Sequence, residues 1–166
     1  MPVTQSKFRA ALRHVATGVT VVTTRDAAGR PCGLTASAFT ALSLNPPLVL
    51  VCVDREAAAF PALEQHGWFA VNVLADSQES LSRRFAVSGG DKFAGLTFRK
   101  GRAGLPLLHG VVVALECRIV DRHEGGDHTI FVGQVEAADS RGDAGFEPLL
   151  FYRGRFSRLH SPGESR

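Results

Sequence analysis

Two long β-forming runs separated by a tight glycine turn constrain this chain more than any other feature. Residues 111–122 and 129–138 are dense in β-branched and apolar side chains, and Gly125-Gly126 sits between them. Such runs pair as an antiparallel hairpin. A hairpin alone is marginal in water, so this one needs further strands to cover its apolar face. Those strands are available. Residues 19–24 (VTVVTT) are followed by a turn at Ala28-Gly29 and a second run at 32–38. Residues 48–53 (LVLVCV) follow the loop Asn45-Pro46-Pro47, and residues 68–74 (WFAVNVL) form another run. A short strand at 96–99 interrupts the loop-rich stretch 89–104, and a last strand is expected over 149–156.

Helical signals are fewer. Phe8, Leu12 and Val15 recur at helical spacing over 5–16, with Thr4 or Ser6 as cap and Gly18 as stop. A short helix is expected over 56–66, kinked or started by Pro61. Asp76 reads as the cap of a third helix, with Glu79 completing a capping box and Leu81 and Phe85 on one face. Many strands with two or three helices predict a mainly β protein, an antiparallel barrel in one domain spanning 1–166. The polar stretch 160–166 is expected to fray.

Composition removes several function classes. The longest apolar run is six residues, far short of the roughly 20 that a spanning helix needs. The first residues lack the apolar core of a signal peptide, so the chain is expected to be soluble and cytoplasmic. Cys32, Cys52 and Cys117 stand far apart with no C-x-x-C, which argues against a zinc or thioredoxin-like site. The net charge of +3 comes from sixteen Arg and three Lys scattered along the chain. That pattern suits an anionic small ligand better than nucleic acid. Neither G-x-G-x-x-G nor G-x-x-x-x-G-K-[ST] occurs, nor H-E-x-x-H, nor G-x-S-x-G. Hydride transfer between stacked rings needs none of these, because it depends on proximity and orientation.

Three segments carry candidate chemistry. Residues 33–43 (GLTASAFTALS) combine hydroxyls with small side chains, and Thr35 and Ser37 share a face if the segment is extended. A flat ring could lie against such backbone. Asn72 and the run Ser82-Arg83-Arg84-Phe85 offer polar and cationic groups suited to a phosphate, with Arg83 and Arg84 not distinguished. Gly126-Asp127-His128 places a histidine at a strand start after a tight turn. Taken singly, each also fits an ordinary strand, a solvated helix face or a surface histidine.

Taken together and in order, TGVTVVTT (17–24), GLTASAFTALSLNPPLVLVCV (33–53), FAVNVL (69–74), LSRRFA (81–86), GDHTIFVGQV (126–135) and LLFYRGRF (149–156) resemble the short-chain flavin reductase family. The likeness runs from about Phe8 to Leu159. It implies an FMN-binding split barrel, a homodimer, and an NADH- or NADPH-dependent flavin reductase that hands reduced FMN or FAD to a separate monooxygenase component. It implies that Thr35, Ala36 and Ser37 line the flavin ring with Ser43 nearby, and that Cys52, Val53 and Asn72 border it. Ser82, Arg83 and Phe85 would hold the phosphate end, helped by Lys92. His128, with Tyr152 as a second contact, would meet the nicotinamide nucleotide. No residue is assigned as acid, base or metal ligand. Two rivals remain on the same barrel: an oxidase or nitroreductase-like enzyme with permanently bound flavin, and a non-enzymatic flavin or haem carrier.

Overall fold

The computed structural model describes residues 2–141 and 146–159. The tail 160–166, expected to fray, lies outside the described residues. The chain opens with α1 (Gln5–Leu12) and β1 (Thr17–Gly18). It continues through β2 (Thr20–Arg25), β3 (Pro31–Ala36), β4 (Phe39–Leu44) and β5 (Pro47–Asp54). Then come α2 (Phe60–His66), β6 (Trp68–Val73), a 3₁₀ turn (Asp76–Gln78) and α3 (Glu79–Ala86). The second half is β7 (Phe98–Lys100), β8 (Pro106–Leu108), β9 (Val113–Gly125), β10 (His128–Ser140), β11 (Leu150–Tyr152) and β12 (Arg155–Ser157).

Seven strands form one antiparallel sheet in the order β3-β2-β6-β9-β10-β5-β4. The expected long hairpin is its centre, β9 against β10 around Gly126-Asp127, with two register shifts along its length. β3 and β4 lie at opposite edges of the sheet although only Ser37 and Ala38 separate them in sequence. The sheet therefore curls until its edges meet at that corner: a barrel split along one seam.

The interior is filled by alternate residues of these strands, among them Val22, Val51, Val53, Phe69, Val71 and Phe131, all fully buried. The Phe69 ring lies against Gly133, where an added Cβ would come within 2.5 Å of Cζ, so only glycine fits there. A second core lies outside the sheet, where α3 and the segment after it cover Val21, Leu74, Phe85, Phe93 and Leu108. Three polar side chains stitch that outer layer down. Thr23 Oγ1 donates to Pro106 O at 2.6 Å, Asn72 Oδ1 accepts from Leu108 N at 2.9 Å, and buried Glu116 accepts from Arg102 N.

The structure corrects several local expectations. The extended segment through Ser37 is broken by a bend there, because the chain leaves one sheet edge for the other; Thr35 and Ser37 do not share a face of one strand. Residues 39–44 form a strand of their own. The first helix stops at Leu12 rather than Ala16, since Arg13 O accepts from Arg153 N at 2.9 Å and ties the chain to the last hairpin. That hairpin replaces the single strand expected over 149–156, with Arg153 and Gly154 both at positive φ in its turn. Pro61 starts α2 rather than kinking it. At α3 the reach-back comes from Gln78, whose Oε1 accepts from Ala75 N at 3.0 Å, while the Asp76 carboxylate faces Arg158 at 3.4 Å.

Candidate functional site

The corner at Ser37-Ala38 is the natural start. A bend there exposes Ser37 and leaves small side chains beside it, with Ala36 turned into the core. Across from the corner, Cys52 N donates to Ala38 O at 3.0 Å. On the next strand Thr129 pairs with Val53, and His128 with Asp54. Three adjacent strands thus bring Ser37, Cys52, Val53 and His128 to one end of the sheet. At about 4.8 Å between strands, Ser37 and His128 are separated by roughly 10 Å. Alternation sorts the contacts. Val53 is fully buried in the interior, so only its backbone faces this ledge, whereas Cys52 points outward and is half-buried.

His128 is half-buried, with Nδ1 2.7 Å from Asp127 Oδ1. The hydrogen bond from His128, reinforced by its charge, holds the Asp127 carboxyl below the usual carboxylate range. Asp127 O in turn accepts from Arg55 N at 3.1 Å, which ties the turn before β10 to the turn after β5.

A second cluster adjoins the first along β3. Thr35 Oγ1 donates to Ser82 O at 2.7 Å and clamps α3 onto the strand. The Phe85 ring sits on Gly33, where a Cβ would approach it to 2.9 Å. The Lys92 ammonium bridges Gly33 O at 3.3 Å and Phe85 O at 3.1 Å, and it meets no carboxylate among the described residues. Burial lowers its pKa from the ordinary lysine value. An anion placed here would repay that cost. Arg83 and Arg84 take different roles. Arg83 pairs with Glu79 at 2.7 Å and lies over the Phe156 ring, while Arg84 donates to Ala94 O and braces the loop after α3.

Three expected site residues lie elsewhere in this chain. Asn72 is fully buried; its amide donates to Val21 O and Thr23 Oγ1, at 3.0 and 3.1 Å, and accepts from Leu108 N. Both its donors are used inside the protein, so it joins β6 to β2 and to β8 rather than facing a ligand. Ser43 is six residues along β4 from Ser37, about 20 Å at ~3.3 Å per residue. Tyr152 sits on the β11–β12 hairpin beside α1 and α3, whereas His128 sits at the far end of β10 from the strands that meet it. One chain does not bring Tyr152 to His128.

Sequence reasoning missed a cavity of about 650 Å³ that continues from the Lys92 cluster. It is lined by Asp26 and Arg30 of the β2–β3 turn, by the start of β3 from Pro31 to Gly33, by Ala58 and Ala59, by residues 89–93 and by Phe98. The glycine pair and lysine of GGDK were its visible trace in the sequence.

The family model described as "Flavin reductase like domain" matches residues 12–160. The chain belongs to the flavin reductase-like family. It is 42% identical over 154 residues to a flavin reductase of Pseudomonas putida, covering 90% of this chain and 86% of that one. It is 40% identical over 153 residues to the reductase subunit of a flavin-dependent monooxygenase of Rhodococcus jostii (strain RHA1), covering 92% and 77%. The solved NADH:FAD oxidoreductase of Streptomyces globisporus C-1027 superposes with TM-score 0.89 at 41% identity, covering 97% and 96%. A structure from Sinorhizobium meliloti 1021 is longer, and the chain spans 53% of it. No helix among the described residues is long and apolar enough to cross a membrane.

Proposed function

We propose that this chain is an NAD(P)H:flavin oxidoreductase that reduces FMN or FAD and releases it to a separate monooxygenase component. The ledge at Ser37-Ala38 carries this reading: exposed backbone with small side chains, facing His128 about 10 Å away across two strand spacings. Flavin, when bound, supplies the electron-accepting ring. Ser37, Ala38 and Cys52 present a surface on which a flat ring can rest, and the half-buried Lys92 ammonium offers a counter-charge for its phosphate. Ser82, Arg83 and Phe85 support that end through α3, and His128 orients the nicotinamide nucleotide. Proximity and exclusion of water do the remaining work.

Thr35, Ala36 and Val53 shape the ledge from behind, and Asn72 ties β6 to β2 and β8. Ser43 and Tyr152 belong to such a site only if a second subunit brings them. That fits a homodimer. Phe8 and Leu12 of α1, Val15 after it, and Leu42 and Leu44 of β4 are all at least half exposed in the single chain. Apolar surface of this kind calls for a partner, and two-fold symmetry is the common solution. The three free thiols accord with a cytoplasmic location.

Steady-state oxidation of NADH and NADPH with added FMN, FAD or riboflavin tests the reading. Turnover that depends on added flavin is expected, with NADH the better donor. Flavin bound tightly with no NADH oxidation would make the chain a carrier instead. Sedimentation giving one chain per particle at working concentration would remove the dimer.

A further inference from the structure

We propose that Asp127 is a positioning residue: it fixes the ring of His128 with a proton on Nδ1 and so leaves Nε2 to meet the nicotinamide nucleotide. The inference rests on the flavin reductase reading and adds to it a residue that acts through His128.

The turn before β10 does not itself call for an aspartate. β9 passes into β10 through the two residues Gly126 and Asp127. Gly126 takes the left-handed backbone at φ +69, and Asp127 does not. A two-residue hairpin turn of that shape asks for glycine at its first place and leaves the second open. The Asp127 backbone is held separately, because its carbonyl accepts from Arg55 N at 3.1 Å. The carboxylate is therefore available for another task. It is 91% exposed, and its Oδ1 lies 2.7 Å from His128 Nδ1.

The neighbouring carboxylates are engaged elsewhere. Asp54 stands directly opposite His128 on β5, on the same face of the sheet. Its Oδ1 accepts from Glu56 N at 2.9 Å and so serves the turn after β5. Glu124 on β9 meets the Arg55 guanidinium at 3.5 Å. Among the described residues, His128 is the one ion-pair partner of Asp127, and His128 Nε2 meets no protein group.

Chemistry then assigns the roles. An ionised carboxylate only accepts, so the shared proton belongs to Nδ1 whatever charge the ring carries. Nε2 is the atom left for a ligand. Ile130, the next residue of β10 on this face, pairs with Cys52. Cys52 is thus a diagonal neighbour of His128, about 7–8 Å away, and the ring stands beside the ledge. In the free protein an exposed pair of this kind adds little to stability. A bound nucleotide covers it and excludes water, which strengthens the bond and holds the ring in one orientation.

The experiment joins nitrogen NMR of the imidazole to a double-mutant cycle on NADH kinetics, both on the full chain. The wild type is expected to carry its His128 proton on Nδ1, and Asp127→Ala to lose that preference. In Asp127→Ala the kcat/KM for NADH is expected to fall roughly five- to tenfold, through KM, with flavin affinity and melting temperature unchanged. In the His128→Ala background the same substitution is expected to change kcat/KM by less than about twofold. Asp127→Glu, which keeps an acceptor, is expected to regain most of the wild-type value. Wild-type kinetics in Asp127→Ala would overturn the proposal. An equal loss in the His128→Ala background would overturn it too, because Asp127 would then act without His128. So would a ring that keeps its Nδ1 proton in Asp127→Ala. A failed cycle with normal turnover sinks the role of Asp127 alone, whereas no NADH oxidation by the wild type with any flavin sinks the reductase reading.

Discussion

Asn72 and Ser37 were expected to do the same job, yet the fold puts them in opposite environments. Asn72 lies on β6 under β8, with no exposed surface and its amide spent on Val21, Thr23 and Leu108. Ser37 lies at an exposed bend where the chain crosses between sheet edges. The first region is a dry polar wall, in which each hydrogen bond is valuable because its alternative is an unpaired buried group. The second is an open ledge, whose groups keep water until a ligand displaces it. A wall of that kind tolerates little change. Mutations should therefore separate the two regions cleanly, through stability in one and through binding in the other.

The sharpest break is at the wall. Asn72→Ala leaves the Leu108 N–H without its partner and opens space behind β6. Folding stability is expected to fall by about 3 kcal/mol, read from denaturant midpoints. A loss below about 0.5 kcal/mol would show the amide to be dispensable and return Asn72 to the list of ligand contacts.

Gly33 sits where wall and ledge meet. An alanine Cβ would press on the Phe85 ring at 2.9 Å and on Val22 O at 3.0 Å. Gly33→Ala is expected to cost roughly 2 kcal/mol of stability and to weaken flavin binding together, since α3 must lift. Normal melting with normal flavin affinity would mean that α3 is not seated as described.

On the ledge the pattern should invert. His128→Ala removes a half-buried side chain whose partner, Asp127, is exposed, so the melting temperature should barely move. The kcat/KM for NADH is expected to fall roughly five- to 150-fold, with flavin affinity little changed. Unaltered NADH kinetics would strip His128 of its role. Ser37→Leu covers the exposed backbone of the corner. A loss of flavin affinity of about tenfold, or ~1.4 kcal/mol, is expected with stability within about 0.5 kcal/mol of wild type. If stability falls instead while flavin binding holds, the corner is structural and the comparison with Asn72 fails.

The sequence by itself determined most of the strands and the family. The long hairpin, the runs that became β2, β5 and β6, and the helix carrying Ser82 and Phe85 follow from local patterns, because periodicity and turn residues act within a few positions of the chain. The ordered motifs were enough to name the relatives. What local pattern cannot encode is which edge a strand joins. The split of residues 33–43 at Ser37 follows from β2 claiming one half and β5 the other. The hairpin of β11 and β12 depends on β1 and on Arg13, about 140 residues away in sequence. The same holds for function. Asn72 looks like a polar residue on a strand until β8 is laid across it, and Arg30, Ala58 and Phe98 share no motif until three separate segments line one cavity. Hydrogen-bond satisfaction and enclosed volume are properties of the packed chain, set by contacts between residues far apart in sequence, and only the tertiary structure decides them.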